Sequence, residues 1–123
     1  MFDSLRNIGS MAGLMKDMPK IRAKLEEVRA KAETTRVAAS SGGGAVTVVS
    51  SGKLRIESID VDPIVARSMA GDDPVNRALA IELIREATNS ALDRAQAAMA
   101  ESLAGAAREL NLPISAEQLK ELL

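Results

Sequence analysis

From Pro74 to Leu110 the chain reads PVNRALAIELIREATNSALDRAQAAMAESLAGAAREL, with no further proline and only one glycine, Gly105. Asp73 can cap this stretch, Pro74 suits a first helical position, and Asn111 and Pro113 mark a stop. At 1.5 Å per residue, a helix over positions 74 to 110 is about 55 Å long, more than one small domain encloses. One of its faces carries Thr88, Ala91, Ala95, Ala98, Ser102 and Gly105, all small. An adjacent line carries Leu92, Met99, Leu103, Ala106 and Leu110. Small side chains permit close approach of axes, so the pattern predicts packing against another helix.

A second helical pattern precedes it. Met11, Leu14, Met18, Ile21, Leu25, Val28 and Ala32 are spaced by alternating threes and fours, a heptad-like stripe. Proline is costly inside a helix and harmless in its first turn, so Pro19 predicts a regular helix over residues 18–33. Gly9 and Gly13 weaken what lies before, and residues 1–17 are expected to be a flexible or short-helical arm. The methionines at 11, 15 and 18 read as core or dimer interface, or as an adaptable binding groove.

Between the helices, TTRVAAS, AVTVVS and KLRIESIDV are rich in β-branched residues and separated by SGGG and SSGK. A three-stranded antiparallel meander over residues 34–62 fits best. Gly42 to Gly44 are expected to supply positive φ for the first reversal and Gly52 for the second. In the third strand, Leu54 and Ile56 share one phase while Ile59 and Val61 share the other, which predicts a bulge near Glu57 and Ser58. After Asp62 and Pro63 a polar connection leads to GDDPV. After Pro113, Ser115 and Gln118 form a capping box ahead of an extra amphipathic tail, residues 114–123.

The chain of 123 residues, 46% hydrophobic and 27% charged, suits one domain over residues 1–123. A three-stranded sheet and two helices cannot cover all these apolar stripes within one protomer. A symmetric pair can, with its sheets edge to edge or face to face.

Histidine and cysteine are both absent, which excludes imidazole acid–base chemistry, thiol chemistry and zinc-finger ligation. GGGAVTVVSSGK resembles a phosphate-binding loop only superficially. The glycine such a loop needs five residues before the GK glycine is Thr47, and the residue after the lysine is Leu54. Ser50 and Lys53 match the S-x-x-K spacing of serine acylases, but on a hairpin instead of a helix start. Asp60 and Asp62 lack a third ligand for Mg²⁺, and Asp62 before Pro63 reads as a turn that ends the strand. The expectation is a protein that is not an enzyme, with no cofactor and no metal. Nothing approaches the roughly 20 apolar residues that span a bilayer, and Asp3 interrupts any secretory-signal pattern, so no membrane partner and a cytoplasmic location are expected.

Net charge is −1, but it is unevenly spread: residues 1 to 36 hold eight Lys/Arg against five acids, and the rest hold eight against twelve. In the heptad frame, Arg22 and Arg29 take e positions and Lys24 and Lys31 take g positions, flanking the apolar seam on both sides. Lys16 and Lys20 add charge towards the amino end. Lys16, Lys20, Arg22, Lys24, Arg29 and Lys31 are therefore either an ordinary solvated helix face or a set of contacts to DNA, doubled and fixed in spacing by dimerisation. With Phe2 the sole aromatic residue, there is no stacking platform for single strands, so duplex DNA held by its phosphates is the nucleic acid that remains. The rival reading is an adaptor for a replication or repair protein, using the methionine stripe or the tail.

GLMK at 13–16, the basic amphipathic helix behind it, Gly42-Gly43-Gly44-Ala45-Val46-Thr47-Val48 as G-x-G-x-V-x-V, then Gly52 and IDVDP at 59–63 together resemble the YbaB/EbfC nucleoid-associated proteins. The resemblance covers roughly residues 1 to 110 and lies in the order and spacing of these short motifs. It implies an α+β fold: an α-β-β-β-α protomer with a three-stranded antiparallel sheet and a long C-terminal helix, paired into a tweezer-like homodimer. It also implies binding to double-stranded DNA in the nucleoid with limited sequence preference, in nucleoid organisation or gene regulation. No catalytic residue carries over. Pro19 and the tail LPISAEQLKELL depart from the family pattern.

Overall fold

A computed structural model describes residues 2–111, with side chains from Met15 onward; the tail at 114–123 lies outside the described residues. The order is α1 (Phe2–Thr34), β1 (Arg36–Ser41), β2 (Val46–Ser51), β3 (Ile56–Val61), α2 (Pro63–Ala70) and α3 (Pro74–Glu109), with a 3-10 turn at Gly42–Gly44 between β1 and β2. This is the expected α+β arrangement of a first helix, an antiparallel three-stranded sheet and a long C-terminal helix. The chain divides into two compact units. One is residues 31–101, and the other joins the α1 residues before Lys31 to the α3 residues from Ser102.

Two elements differ from expectation. The first helix does not begin at residue 18: α1 runs as one helix from Phe2, with Pro19 inside it. Proline removes one i→i−4 bond, here the one to the carbonyl of Met15. Both residues are exposed, so water can replace that bond. The second difference is α2, an eight-residue helix where a polar connection was expected. Asp62 does not simply end a strand. Its carboxylate accepts from the Ile64 amide at 2.9 Å, and Pro63 occupies the first turn, the same Asp-Pro start that opens α3. At α3 the Asp73 carboxylate accepts from the Val75 amide at 2.9 Å. At its far end Asn111 takes a left-handed φ of 51° and donates to the Arg108 carbonyl.

Within residues 31–101 the sheet order is β1-β2-β3, both pairs antiparallel. Alternation places Ala39 and, across from it and beside it, Val48 and Val46 on one face, all buried. They pack with Val65 of α2 and Ala80, Ala87 and Ala91 of α3, edged by Ala45, Val61, Leu83 and Ile84. Ala80, Ala87 and Ala91 of α3 therefore serve a helix-on-sheet contact, and Ala91 is the member of the expected helix-pairing face that does so. With Ala87 and Ala91 fully buried, the helix comes close enough for Arg94 to donate to the Ala38 carbonyl at 2.7 Å and the Ser41 hydroxyl to the Leu83 carbonyl. The polar face of the sheet carries Ser40 and Thr47, whose hydroxyls meet at 2.9 Å.

The predicted bulge is present. Val49 pairs with Ser58 and Ser50 with Ile56, so Glu57 is the extra residue and the phase of β3 switches across it. Gly42, Gly43 and Gly44 all have positive φ (60°, 66° and 97°), as the first reversal requires. Gly52 does not: the left-handed residue of the second reversal is Leu54, at φ 62°. Gly52 is needed for space, because a Cβ there would lie 2.9 Å from Ala32 backbone atoms and 3.0 Å from the Met99 sulfur.

In the other unit, Ile21, Leu25 and Val28 of α1 are buried, as are Leu103, Ala106 and Ala107 of α3. This part of the heptad stripe is the buried seam the spacing predicts. Met15, by contrast, is 73% exposed. No helix among the described residues is long and apolar enough to cross a membrane.

Candidate nucleic-acid interface

Because α1 buries the line through Ile21, Leu25 and Val28, the e and g positions beside that line fall at the edge of solvent. Lys16, Lys20 and Arg22 are exposed and make no ion pair with any described residue. Lys24 behaves otherwise. Its ammonium reaches Glu27 at 2.9 Å, one helical turn on, and also Glu109 at the end of α3. The hydrogen bond it donates to Glu109, then the one to Glu27, holds the Lys24 ammonium above its ordinary value, so it stays charged far beyond neutral pH. Arg29 is exposed but donates to Glu26 at 2.7 Å. Of these five candidates, three thus have no carboxylate partner among the described residues and two are already matched by carboxylates.

Lys31, the sixth, belongs to the unit of residues 31–101. It is exposed, makes no ion pair among the described residues, and offers its carbonyl to the Thr35 amide at 2.9 Å. The fold gathers further cations around this end of α1 that sequence reasoning did not single out. Arg36 donates to the carbonyls of Glu33 and Thr35, closing the helix, and its guanidinium lies 3.3 Å from Glu57. Lys53 of the β2–β3 hairpin donates to Glu33 at 2.6 Å, which holds the Glu33 carboxyl below its ordinary range. Arg55 is exposed with no ion pair among the described residues. The signal for this group is not spacing but topology. Arg36 opens β1 opposite Ser51, and Ser51 bonds Arg55, so three remote stretches meet at one end of the sheet.

Chemically, these groups are donors and positive charges, and the perturbed acid beside them, Glu33, is held in its ionised form by Lys53. They suit an anionic polymer held by its phosphates, where exposed lysine and arginine supply most of the affinity. No group of three or more acidic side chains able to hold a metal ion occurs among the described residues.

A nucleoid-associated protein of Granulibacter bethesdensis is 35% identical over 104 residues, 85% of this chain and 92% of that protein. One from Alkaliphilus metalliredigens is 30% identical over 112 residues, 91% of this chain and 93% of that protein. One from Brucella ovis is 35% identical over 103 residues, covering 84% and 91% respectively. An uncharacterized protein of Helicobacter pylori of known crystal structure is 27% identical, with a TM-score of 0.47 over 70% of this chain and 81% of that one. The YbaB/EbfC DNA-binding family profile matches residues 8–110, and the chain belongs to that family.

Proposed function

We propose that this protein is a nucleoid-associated protein that binds duplex DNA as a homodimer, with little sequence preference and with cations of α1 on the phosphates. The observation that carries the reading is Lys16, Lys20 and Arg22, exposed on α1 and matched by no carboxylate among the described residues, in a chain of a DNA-binding family. Relatives alike over most of their length are nucleoid-associated proteins, and nucleoid organisation or gene regulation is the matching role here.

Pairing is supported by apolar side chains that one protomer leaves uncovered. Ile59 and Ile56 of β3, Ile64 and Met69 of α2, and Val75 and Leu79 of α3 are exposed, and β3 is an edge strand of the sheet. A second copy of the chain covers such a surface at no cost in new sequence and doubles the cations offered to one duplex.

The test is a titration of the purified protein against a duplex of arbitrary sequence at several salt concentrations. Micromolar or tighter binding that weakens steeply with salt and little with sequence is expected. Absence of salt-sensitive binding at micromolar protein overturns the reading and favours the adaptor for a replication or repair protein.

A further inference from the structure

The β2–β3 hairpin turns through Gly52, Lys53 and Leu54. The Ser51 amide donates to the Arg55 carbonyl at 2.9 Å and the Leu54 amide to the Ser51 carbonyl at 3.0 Å. A three-residue loop closed in this way needs a left-handed residue at its last position, where glycine or asparagine is the ordinary choice. Here that residue is Leu54, at φ 62° and 42% exposed. A bulky apolar side chain in a strained backbone conformation, turned out to water, adds nothing to the hairpin itself.

The base of the turn is held firmly. Ser50, Ser51 and Gly52 are buried, the Gly52 amide donates to the Thr35 carbonyl at 3.1 Å, and Gly52 packs on Ala32 and Met99 without room for a Cβ. The Ser51 hydroxyl accepts from the amides of Lys53 and Arg55. At this base Leu54 is followed by Arg55, exposed and without an ion pair among the described residues, and preceded by Lys53, exposed but held by Glu33 at 2.6 Å. Apolar side chains flanked by lysine or arginine are the groups that proteins place in a groove of the double helix, with the charges on the phosphates alongside.

We infer that the tip of the β2–β3 hairpin is a second contact to duplex DNA, with Leu54 seated in a groove and Arg55 on an adjoining phosphate. The inference rests on duplex DNA as the ligand, but not on the cations of α1.

The test compares wild-type protein with Leu54→Gly and Arg55→Ala on one labelled duplex across a salt series, with sedimentation and thermal melting of each variant. Leu54→Gly keeps the turn, because glycine accepts the left-handed backbone, and it removes no charge. It is expected to weaken binding about tenfold at every salt concentration, with the slope of log affinity against log salt, the sedimenting mass and the melting temperature all retained. Arg55→Ala is expected to reduce that slope by about 0.9 for each protomer in contact. Wild-type affinity in Leu54→Gly overturns the inference while leaving the protein a DNA binder. Weakened self-association in Leu54→Gly overturns it as well, by making Leu54 an interface residue between copies. A wild-type protein that shows no salt-sensitive binding fails the functional reading itself, a separate outcome.

Discussion

Replacing Arg22 and Arg29 separately by alanine distinguishes charge that is offered to DNA from charge that is merely present. Both are exposed arginines at e positions of α1, seven residues apart, but Arg29 donates to Glu26 at 2.7 Å and Arg22 has no ion pair among the described residues. A phosphate neutralised by one cation contributes about 0.9 to the slope of log affinity against log salt. Between about 50 and about 200 mM salt, losing one such contact changes the fall in affinity by about 3.5-fold, and losing it in both protomers of a dimer by about 12-fold. Arg22→Ala is expected to show this loss. Arg29→Ala is expected to flatten the slope by clearly less, because moving Arg29 from Glu26 to a phosphate leaves the carboxylate to collect a counterion in place of the one released. Glu26→Gln should then make the protein bind more tightly and more salt-dependently, and this gain should disappear when Arg29 is also alanine. Fluorescence anisotropy with a labelled duplex over a salt series reads the wild type and all four variants. Equal flattening by the two alanines refutes the role of pairing, and no flattening by either removes this part of α1 from the interface.

Other expectations follow from single contacts. Gly52→Ala forces a Cβ to within 2.9 Å of Ala32 backbone atoms, and overpacking of this kind destabilises by about 1–3 kcal/mol, measurable by chemical denaturation. Asp62→Ala removes the acceptor of the Ile64 amide and should cost about 0.5–2 kcal/mol in the same assay; an unchanged midpoint means the cap does not hold α2. The Glu33–Lys53 pair sets a pH dependence. The Glu33 carboxyl is held below its ordinary value of 4.5, chiefly by the hydrogen bond from Lys53. Its contribution is therefore present in full above pH 4.5 and is lost as pH falls through the lowered value. Lys53→Met should be less stable than wild type at pH 7, with the gap closing on acidification below pH 4.5; a gap that widens there contradicts the assigned partner.

Much of the fold is legible in local chemistry. The switch of phase between Ile56 and Ile59 placed the bulge near Glu57 and Ser58, and Asp73-Pro74 with Asn111 bounded α3, because a cap, a proline and a left-handed residue act over only a few positions. The same chemistry at Asp62-Pro63 signals α2, but eight residues after a strand read equally well as a turn. Local rules fail at two positions. Pro19 was expected to start a helix and instead sits inside one, and Gly52 is glycine because Ala32 and Met99 crowd it, not for its φ. The interface is legible in the same uneven way. The pairing of Arg29 with Glu26 is visible from a spacing of three residues, whereas nothing near Lys24 in sequence announces Glu109. Arg55 and Lys31 lie in different elements and come to one end of the sheet only through the strand register.

That unevenness bears on how a chain of net charge −1 can hold a polyanion at all. A protein with almost no net charge gains little from long-range attraction, which salt screens beyond about 10 Å at 0.1 M. Its affinity has to come from cations brought within contact distance of phosphates and left unmatched by its own acids. Counting lysines and arginines is then the wrong measure, since 16 of them face 17 carboxylates. The relevant quantity is which carboxylates are spent on which cations. Glu26, Glu27 and Glu109 occupy Arg29 and Lys24, while Lys16, Lys20 and Arg22 have no such partner among the described residues. On this view DNA affinity is set as much by acids as by bases, and an acid-to-amide change such as Glu26→Gln strengthens binding without adding a single positive charge.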